Sequence, residues 1–296
     1  FGFTSSVTPI RKTTAPIIID LESLAPCDLE SKANEDSLQQ SAFDLIQVDL
    51  SKMFMFGDCL EVMRDMPPGC VDHVVTDIPY GVDMDNLNCF KNIDLVEAEH
   101  DVEQNIFIMP QFLRLAYHVL PERGYCVFWY DLDHHEKLQR YAEEAGFCVQ
   151  RWPLVWVKTH PCRNSAAQFN YTKATEVAMV CRKGSDCTLV KPAAKNYIIA
   201  DGSAERRLYS NPFAKPFDVW EFILSHIAFK GQKILDPFAG QMSCPRACIS
   251  LGLNPIAIEI NQRHFVHGID MIVEMFKEMT QNRVEFINDP REAWKQ

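Results

Sequence analysis

The sequence predicts an α/β fold built on a largely parallel sheet, and three observations carry that prediction. Short apolar runs bounded by turn residues alternate along the chain with longer stretches whose apolar residues recur at helical spacing. Two of the apolar runs end in an aspartate with a proline one or two residues on, Asp77-Ile78-Pro79 and Asp236-Pro237, and open α/β sheets bind their ligands beyond such strand ends. At 296 residues and 47% hydrophobic content, the chain can bury one large core with helices on both faces of the sheet.

Taken in order, residues 1–52 hold few aromatics and a polar cluster from Ser31 to Ser41, so they are read as an N-terminal extension, with the folded domain spanning 53–296. Strands are expected at Met53–Phe56, Asp72–Thr76, Tyr125–Tyr130, Leu154–Lys158, Val177–Cys181, Lys233–Leu235 and Ile256–Ile258, which makes a mostly parallel seven-stranded sheet. Helical spacing appears over Phe107–Leu120, His134–Ala145 and Pro216–Phe229, and again near Cys244–Leu251; Leu120-Pro121 with Gly124 is a stop signal for the first.

Composition narrows the function classes. No run of eighteen apolar residues occurs, and Arg11 and Lys12 interrupt the first twenty, so membrane insertion and secretion are not expected and the protein is read as cytoplasmic. The chain begins at Phe1, as a fragment or processed product would. Eleven cysteines, an odd number spread through a core-rich chain, suit reduced buried thiols. The net charge of −11 hides a split: residues 1–150 carry 10 Lys and Arg against 26 Asp and Glu, whereas residues 151–215 carry 11 against 4. Trp152, Trp156, Phe169, Tyr171, Tyr197 and Tyr209 interleave that basic segment, a composition suited to phosphate contact and base stacking as well as to an ordinary solvated face. Arg163, Lys173, Arg182, Lys183, Arg206 and Arg207 are the candidate nucleic-acid contacts.

The chemistry concentrates in two segments. Val74–Gly81 places a carboxylate (Asp77), a rigid turn (Pro79) and a flat ring (Tyr80) side by side after a strand. Lys233–Ser243 ends a strand in Asp236 and passes through Phe238, Ala239 and Gly240 into a helix, as nucleotide-binding turns do, and Glu259 ends the next strand about twenty residues after Gly240, a spacing suited to ribose hydroxyls. Pro26-Cys27 and Pro161-Cys162 offer a thiolate for cytosine-C5 chemistry, but neither stands with the other motifs in place. Cys244/Cys248 and His264/His267 have one-turn spacing, yet core thiols and a helix-face His pair explain them better than a metal.

In order, these segments resemble the DNA amino-methyltransferases that use S-adenosylmethionine to methylate an exocyclic amine. Gly57–Met63 looks like the segment whose acidic residue, here Asp58, touches the cofactor adenine. Asp77-Ile78-Pro79-Tyr80 looks like the catalytic Asp-Pro-Pro-Tyr, Asn211–Pro216 with Lys215 like the segment before the cofactor loop, and Asp236–Gly240 like that loop. Catalytic motif before cofactor motif is the permuted order of the family's β group. The resemblance implies a Rossmann-like fold with a catalytic half at 53–183, a short recognition insert at 184–210, a cofactor half at 211–268, and a C-terminal helix and tail at 269–296. It also implies DNA as partner, leaves open whether the DNA is single-stranded or a partner subunit takes part, and is compatible with a homodimer. The first-position Asp favours adenine N6 over cytosine N4. RNA methylation and a silenced, nucleic-acid-binding relative stay open as alternatives. Ile78, Met242 and Asn211 depart from the family pattern, and Met242, in place of a second loop glycine, threatens to crowd the cofactor.

Overall fold

The computed structural model of the chain describes residues 46–79, 102–161, 166–203 and 214–294. Its strands are β1 (Ile46–Asp49), β2 (Phe54–Phe56), β3 (His73–Asp77), β4 (Tyr125–Tyr130), β5 (Cys148–Val149), β6 (Leu154–Lys158), β7 (Thr175–Arg182), β8 (Tyr197–Ala200), β9 (Lys233–Asp236), β10 (Asn254–Glu259) and β11 (Val284–Ile287). The helices are α1 (Cys59–Asp65), α2 (Val102–Val119), α3 (His135–Glu144), α4 (Phe217–Ile227), α5 (Ser243–Ser250) and α6 (Gln262–Met279). None of the helices among the described residues is long and apolar enough to cross a membrane.

The main sheet runs β2-β10-β9-β3-β4-β7-β6-β8, with β5 also paired to β7. It has nine strands among the described residues rather than the expected seven, because β5 and β8 join its edge. From β2 to β4 all pairs are parallel; β7 runs against β4 and β6, and β6 and β8 are parallel. Burial on both faces explains the unbroken apolar run of β4. Cys126, Phe128 and Tyr130 face α1, α2 and α3, while Tyr125, Val127 and Trp129 face α4 and α5.

Two segments sit differently from the sequence reading. Residues 46–52, assigned to the extension, are part of the fold: β1 pairs with β11 in a separate two-stranded sheet, and Val48 and Leu50 are buried with Phe54, Phe265 and Phe276. In the expected recognition insert, residues 197–200 form the edge strand β8 and Cys187 and Ala200 pack into the core, while residues 204–213 lie outside the described ones.

The strand order reverses between β9, which leads to β10 on one side, and the parallel β3, which leads to β4 on the other. The carboxyl ends flanking such a reversal form the crevice in which open sheets bind ligands. Asp236 and Asp77 end those two strands.

Candidate active site

Asp77 closes β3, and its Oδ2 accepts from the Lys215 ammonium at 2.5 Å. Lys215 is 1% exposed, lies 3.0 Å from Glu176 at the start of β7, and has its Nζ over the Trp129 ring at 5.6 Å. Lys158, ending β6, is ion-paired to the other oxygen of Glu176. Burial alone would lower the Lys215 pKa, but the carboxylates of Asp77 and Glu176 outweigh it and shift it upward. Burial would likewise raise Glu176, yet Lys215 and Lys158 pull it down to about 2. The resemblance assigns Lys215 to the cofactor; the structure puts its ammonium on Asp77.

Across the reversal, burial raises the Asp236 carboxyl to about 7, with the charges of Asp77 and Glu259 adding to the rise and bonds from Thr76 and Phe238 opposing it. The Thr76 hydroxyl donates to Asp236 Oδ1 at 2.6 Å and the Phe238 N–H at 3.3 Å. Glu259, ending β10, accepts the Gly240 N–H at 2.7 Å and the Asn261 N–H at 2.7 Å. The acid that the resemblance assigns to the ribose thus braces the loop itself. Gly240 sits at φ +51°, and nothing would lie within 4 Å of a Cβ there, so the loop is open on that side. Asp58, just beyond β2, caps α1 by accepting the Leu60 N–H at 2.7 Å, and the neighbouring Gly57 N–H donates to the Glu259 carbonyl at 3.0 Å.

Met242 resolves the departure from the glycine pattern. It keeps the left-handed backbone a glycine would adopt, φ +63°, but its side chain is fully buried in the cluster formed with Phe265, Ile269 and Ile272. It lies against Gly268 of α6, where an added Cβ would collide with the Met242 side chain and come within 3.1 Å of the Gln241 backbone. A glycine on α6 makes the room that the loop residue takes, and the side chain points into the core.

Asp58, Asp77, Lys215, Asp236, Gly240 and Glu259 therefore share one rim of the sheet. Ile78 is buried, and Phe238 packs edge-on against Phe112 at 5.2 Å. The Ala239 N–H donates to the Ile258 carbonyl at 3.0 Å. Lys173 is on the same rim, exposed and 3.2 Å from Asp131. Arg182 and Lys183 are not: Arg182 ends antiparallel β7 at the far rim and Lys183 follows it, the Lys183 ammonium donating to the Tyr117 and Leu120 carbonyls at 2.8 and 2.7 Å and so capping α2. Tyr80, Arg163, Arg206 and Arg207 lie outside the described residues, as do Asn211, Pro26-Cys27 and Cys162. Cys244 and Cys248 are buried thiols, with Cys244 Sγ 3.7 Å from the Val75 carbonyl.

Sequence reasoning passed over Thr76, Trp129, Lys158, Glu176 and Gly268. The available signal was a lone Lys ending one apolar strand and a lone Glu opening the next, which an antiparallel pair brings to the same rim.

The carboxylates gathered at these strand ends fit S-adenosylmethionine, whose sulfonium is cationic. The family profile of the N6/N4 DNA methylases matches residues 71–269. Among curated proteins, the proposed methylase YubD of Escherichia coli K12 is 26% identical over 228 residues, 77% of this chain and 93% of its own. The type II methyltransferase M2.MboI of Moraxella bovis is 23% identical over 264 residues, 78% and 93% respectively. The fold is that of M1.HpyAVI in complex with SAM, with a TM-score of 0.58 at 20% identity over 74% of this chain and 98% of that one. The cytosine-N4-specific PvuII DNA methyltransferase superposes with a TM-score of 0.60 at 13% identity, over 80% and 95%. With the profile covering most of the folded domain and its two strand-end motifs meeting at one crevice, the chain belongs to the N6/N4 DNA methylase family, the DNA amino-methyltransferases that take their methyl group from S-adenosylmethionine.

Proposed function

We propose that the protein methylates the N6 amine of adenine in DNA, with Asp77 as the group that receives the amine. The observation that carries this reading is the position of Asp77: it ends β3, the strand paired in parallel with β9, which itself ends in Asp236, so acceptor group and cofactor loop flank one crevice. Asp rather than Ser at the first motif position supports adenine over cytosine.

An aromatic amine is a poor nucleophile because its lone pair is delocalised into the ring. The Asp77 carboxylate and the Ile78 backbone carbonyl accept its two N–H hydrogens, which turns the lone pair out of conjugation and aims it along the line of attack. S-adenosylmethionine, when bound, supplies an electrophilic methyl on its sulfonium. Asp58, Phe238, Ala239, Gly240 and Glu259 hold the adenosine portion, and Asp236 contributes negative charge beside it. Tyr80 stacks on the base, which must leave the duplex to reach the crevice. Phe169 and Tyr171, 81% and 102% exposed on the β6–β7 loop, supply apolar ring surface on the rim of Asp77, and Lys173 a phosphate contact. DNA is thus approached from the Asp77 rim.

The test is enzymatic digestion of methylated DNA followed by nucleoside mass spectrometry. N6-methyladenine is expected; N4-methylcytosine alone overturns the base assignment.

A further inference from the structure

Around Asp77 the charged groups form an alternating chain rather than a single pair. Lys158 of β6 meets Glu176 of β7, Glu176 meets Lys215, and Lys215 meets Asp77 of β3, with Trp129 of β4 against the Lys215 ammonium and Asp236 of β9 beyond Asp77. Burying an ammonium as completely as Lys215 is costly unless opposite charge surrounds it. One carboxylate would suffice for neutrality, but then Lys215 would cancel the charge of Asp77 just where an acceptor amine becomes positive as it gains a methyl group. Glu176 gives Lys215 a second carboxylate, so that Asp77 does not carry the whole of its charge, and Lys158, with its side chain only 16% exposed, keeps Glu176 itself ionised and leaves the four groups neutral together.

We propose that Glu176, with Lys158 behind it, is a positioning residue for methyl transfer: it pins the Lys215 ammonium and offsets its charge, so that Asp77 presents a fixed, ionised carboxylate to the amine. The inference rests on the reading of Asp77 as the amine acceptor. Neither Glu176 nor Lys158 touches substrate or cofactor in this scheme, and the chain Asp77–Lys215–Glu176–Lys158 acts only through its electrostatics and geometry.

The test is the single-turnover rate of methyl transfer to DNA at saturating S-adenosylmethionine, measured as a function of pH for the parent, Glu176→Gln, Glu176→Asp and Lys158→Met. Glu176→Gln is expected to slow transfer about 10- to 100-fold, the loss typical of outer partners that orient a reactive group. Its alkaline limb should move to lower pH, because Lys215 then keeps one carboxylate instead of two. Glu176→Asp should recover part of the rate and return the limb toward the parent position. Lys158→Met, at the end of the chain farthest from Asp77, should move the acid limb upward with a smaller loss of rate, and it carries the test if Glu176→Gln does not fold. S-adenosylmethionine affinity, by calorimetry, should change little in all of them. A slowed Glu176→Gln with an unmoved pH profile, or an unslowed one, overturns the proposal. So does an unmoved acid limb in Lys158→Met. Asp77→Asn separates the two readings: retained transfer overturns the role of Asp77 itself, whereas loss of transfer beside an unmoved Glu176→Gln profile overturns the charge chain alone.

Discussion

The active rim holds two sets of carboxylates one strand apart, the first partly and the second fully buried, and they are held in opposite ways. Asp77 and Glu176 are locked to Lys215, and Glu176 also to Lys158, which drives Glu176 down to about 2. Asp236 instead takes its bonds from the neutral Thr76 hydroxyl and Phe238 N–H, has no ion-pair partner among the described residues, and rises to about 7. A carboxylate with a built-in counterion is ionised whatever arrives. One without it gains most from a cationic ligand. The first set suits an acceptor that must be ready before the base enters, and the second suits the sulfonium of the cofactor.

The largest way to break this contrast is at Asp77. Asp77→Ala should lower single-turnover methyl transfer by at least about 10²–10³-fold, the scale for removing one precisely aimed polar group. S-adenosylmethionine should still bind, since its expected contacts lie on β2, β9 and β10. Calorimetry showing lost cofactor binding with transfer retained at saturation would reverse the assignment of the two sets.

Asp236 sharpens the contrast through pH. If a cationic cofactor favours the ionised form of a carboxyl near 7, affinity should improve roughly tenfold between about pH 6 and 8, with proton release on binding near neutrality. Asp236→Asn should flatten that dependence. Stability responds with the opposite sign: the folded-state pKa is raised above the ordinary carboxylate range, so the fold keeps a proton the unfolded chain has lost, and stability falls as pH rises from about 4 through about 7. Asp236→Asn should therefore melt closer to the parent, or above it, at pH 8 than at pH 4. A pH-independent cofactor affinity in the parent would remove Asp236 from the cofactor side.

Met242→Gly has a smaller effect and acts on stability. Emptying a fully buried Met site costs about 2–5 kcal/mol, partly offset by about 1 kcal/mol from relieving a left-handed non-glycine residue. Thermal melting should report a net loss, with cofactor affinity tightened only modestly because the side chain already points at Gly268. A large gain in affinity would mean that Met242 had been filling the cofactor's place.

How much of this was legible in the sequence follows from burial and distance along the chain. β3, β4, β9 and β10 are interior parallel strands with both faces covered, so they read as continuous apolar runs, and their terminal acids marked the rim. β1, β8 and β11 are edge strands carrying exposed or half-buried residues such as Tyr197 and Ile199, and β1 finds its partner 238 residues away, Gln47 bonding to Glu285; local pattern holds no trace of that pairing. The Lys215–Asp77 contact spans 138 residues and the Met242–Gly268 contact joins a loop to a helix. Both depend on topology. Residue type showed that a lysine, a glutamate and an odd methionine were present, but only the sheet order brought them to their partners.

The basic segment divides the same way, and the last prediction tests it. Charge composition cannot distinguish Lys173 from Lys183, yet the first stands exposed on the Asp77 rim and the second caps α2 at the opposite end of the sheet. Phosphates approaching the rim would compete with Asp131 for Lys173 and release condensed counterions. Lys173→Met should therefore weaken DNA binding and reduce the slope of log affinity against log salt by about 0.9. Lys183→Met should leave that slope unchanged and instead lower stability by about 1–3 kcal/mol, since it removes two charge-assisted bonds to helix-terminal carbonyls. The reverse pattern, with the slope tracking Lys183, would place the DNA on the far rim and separate it from the carboxylate that is meant to receive its base.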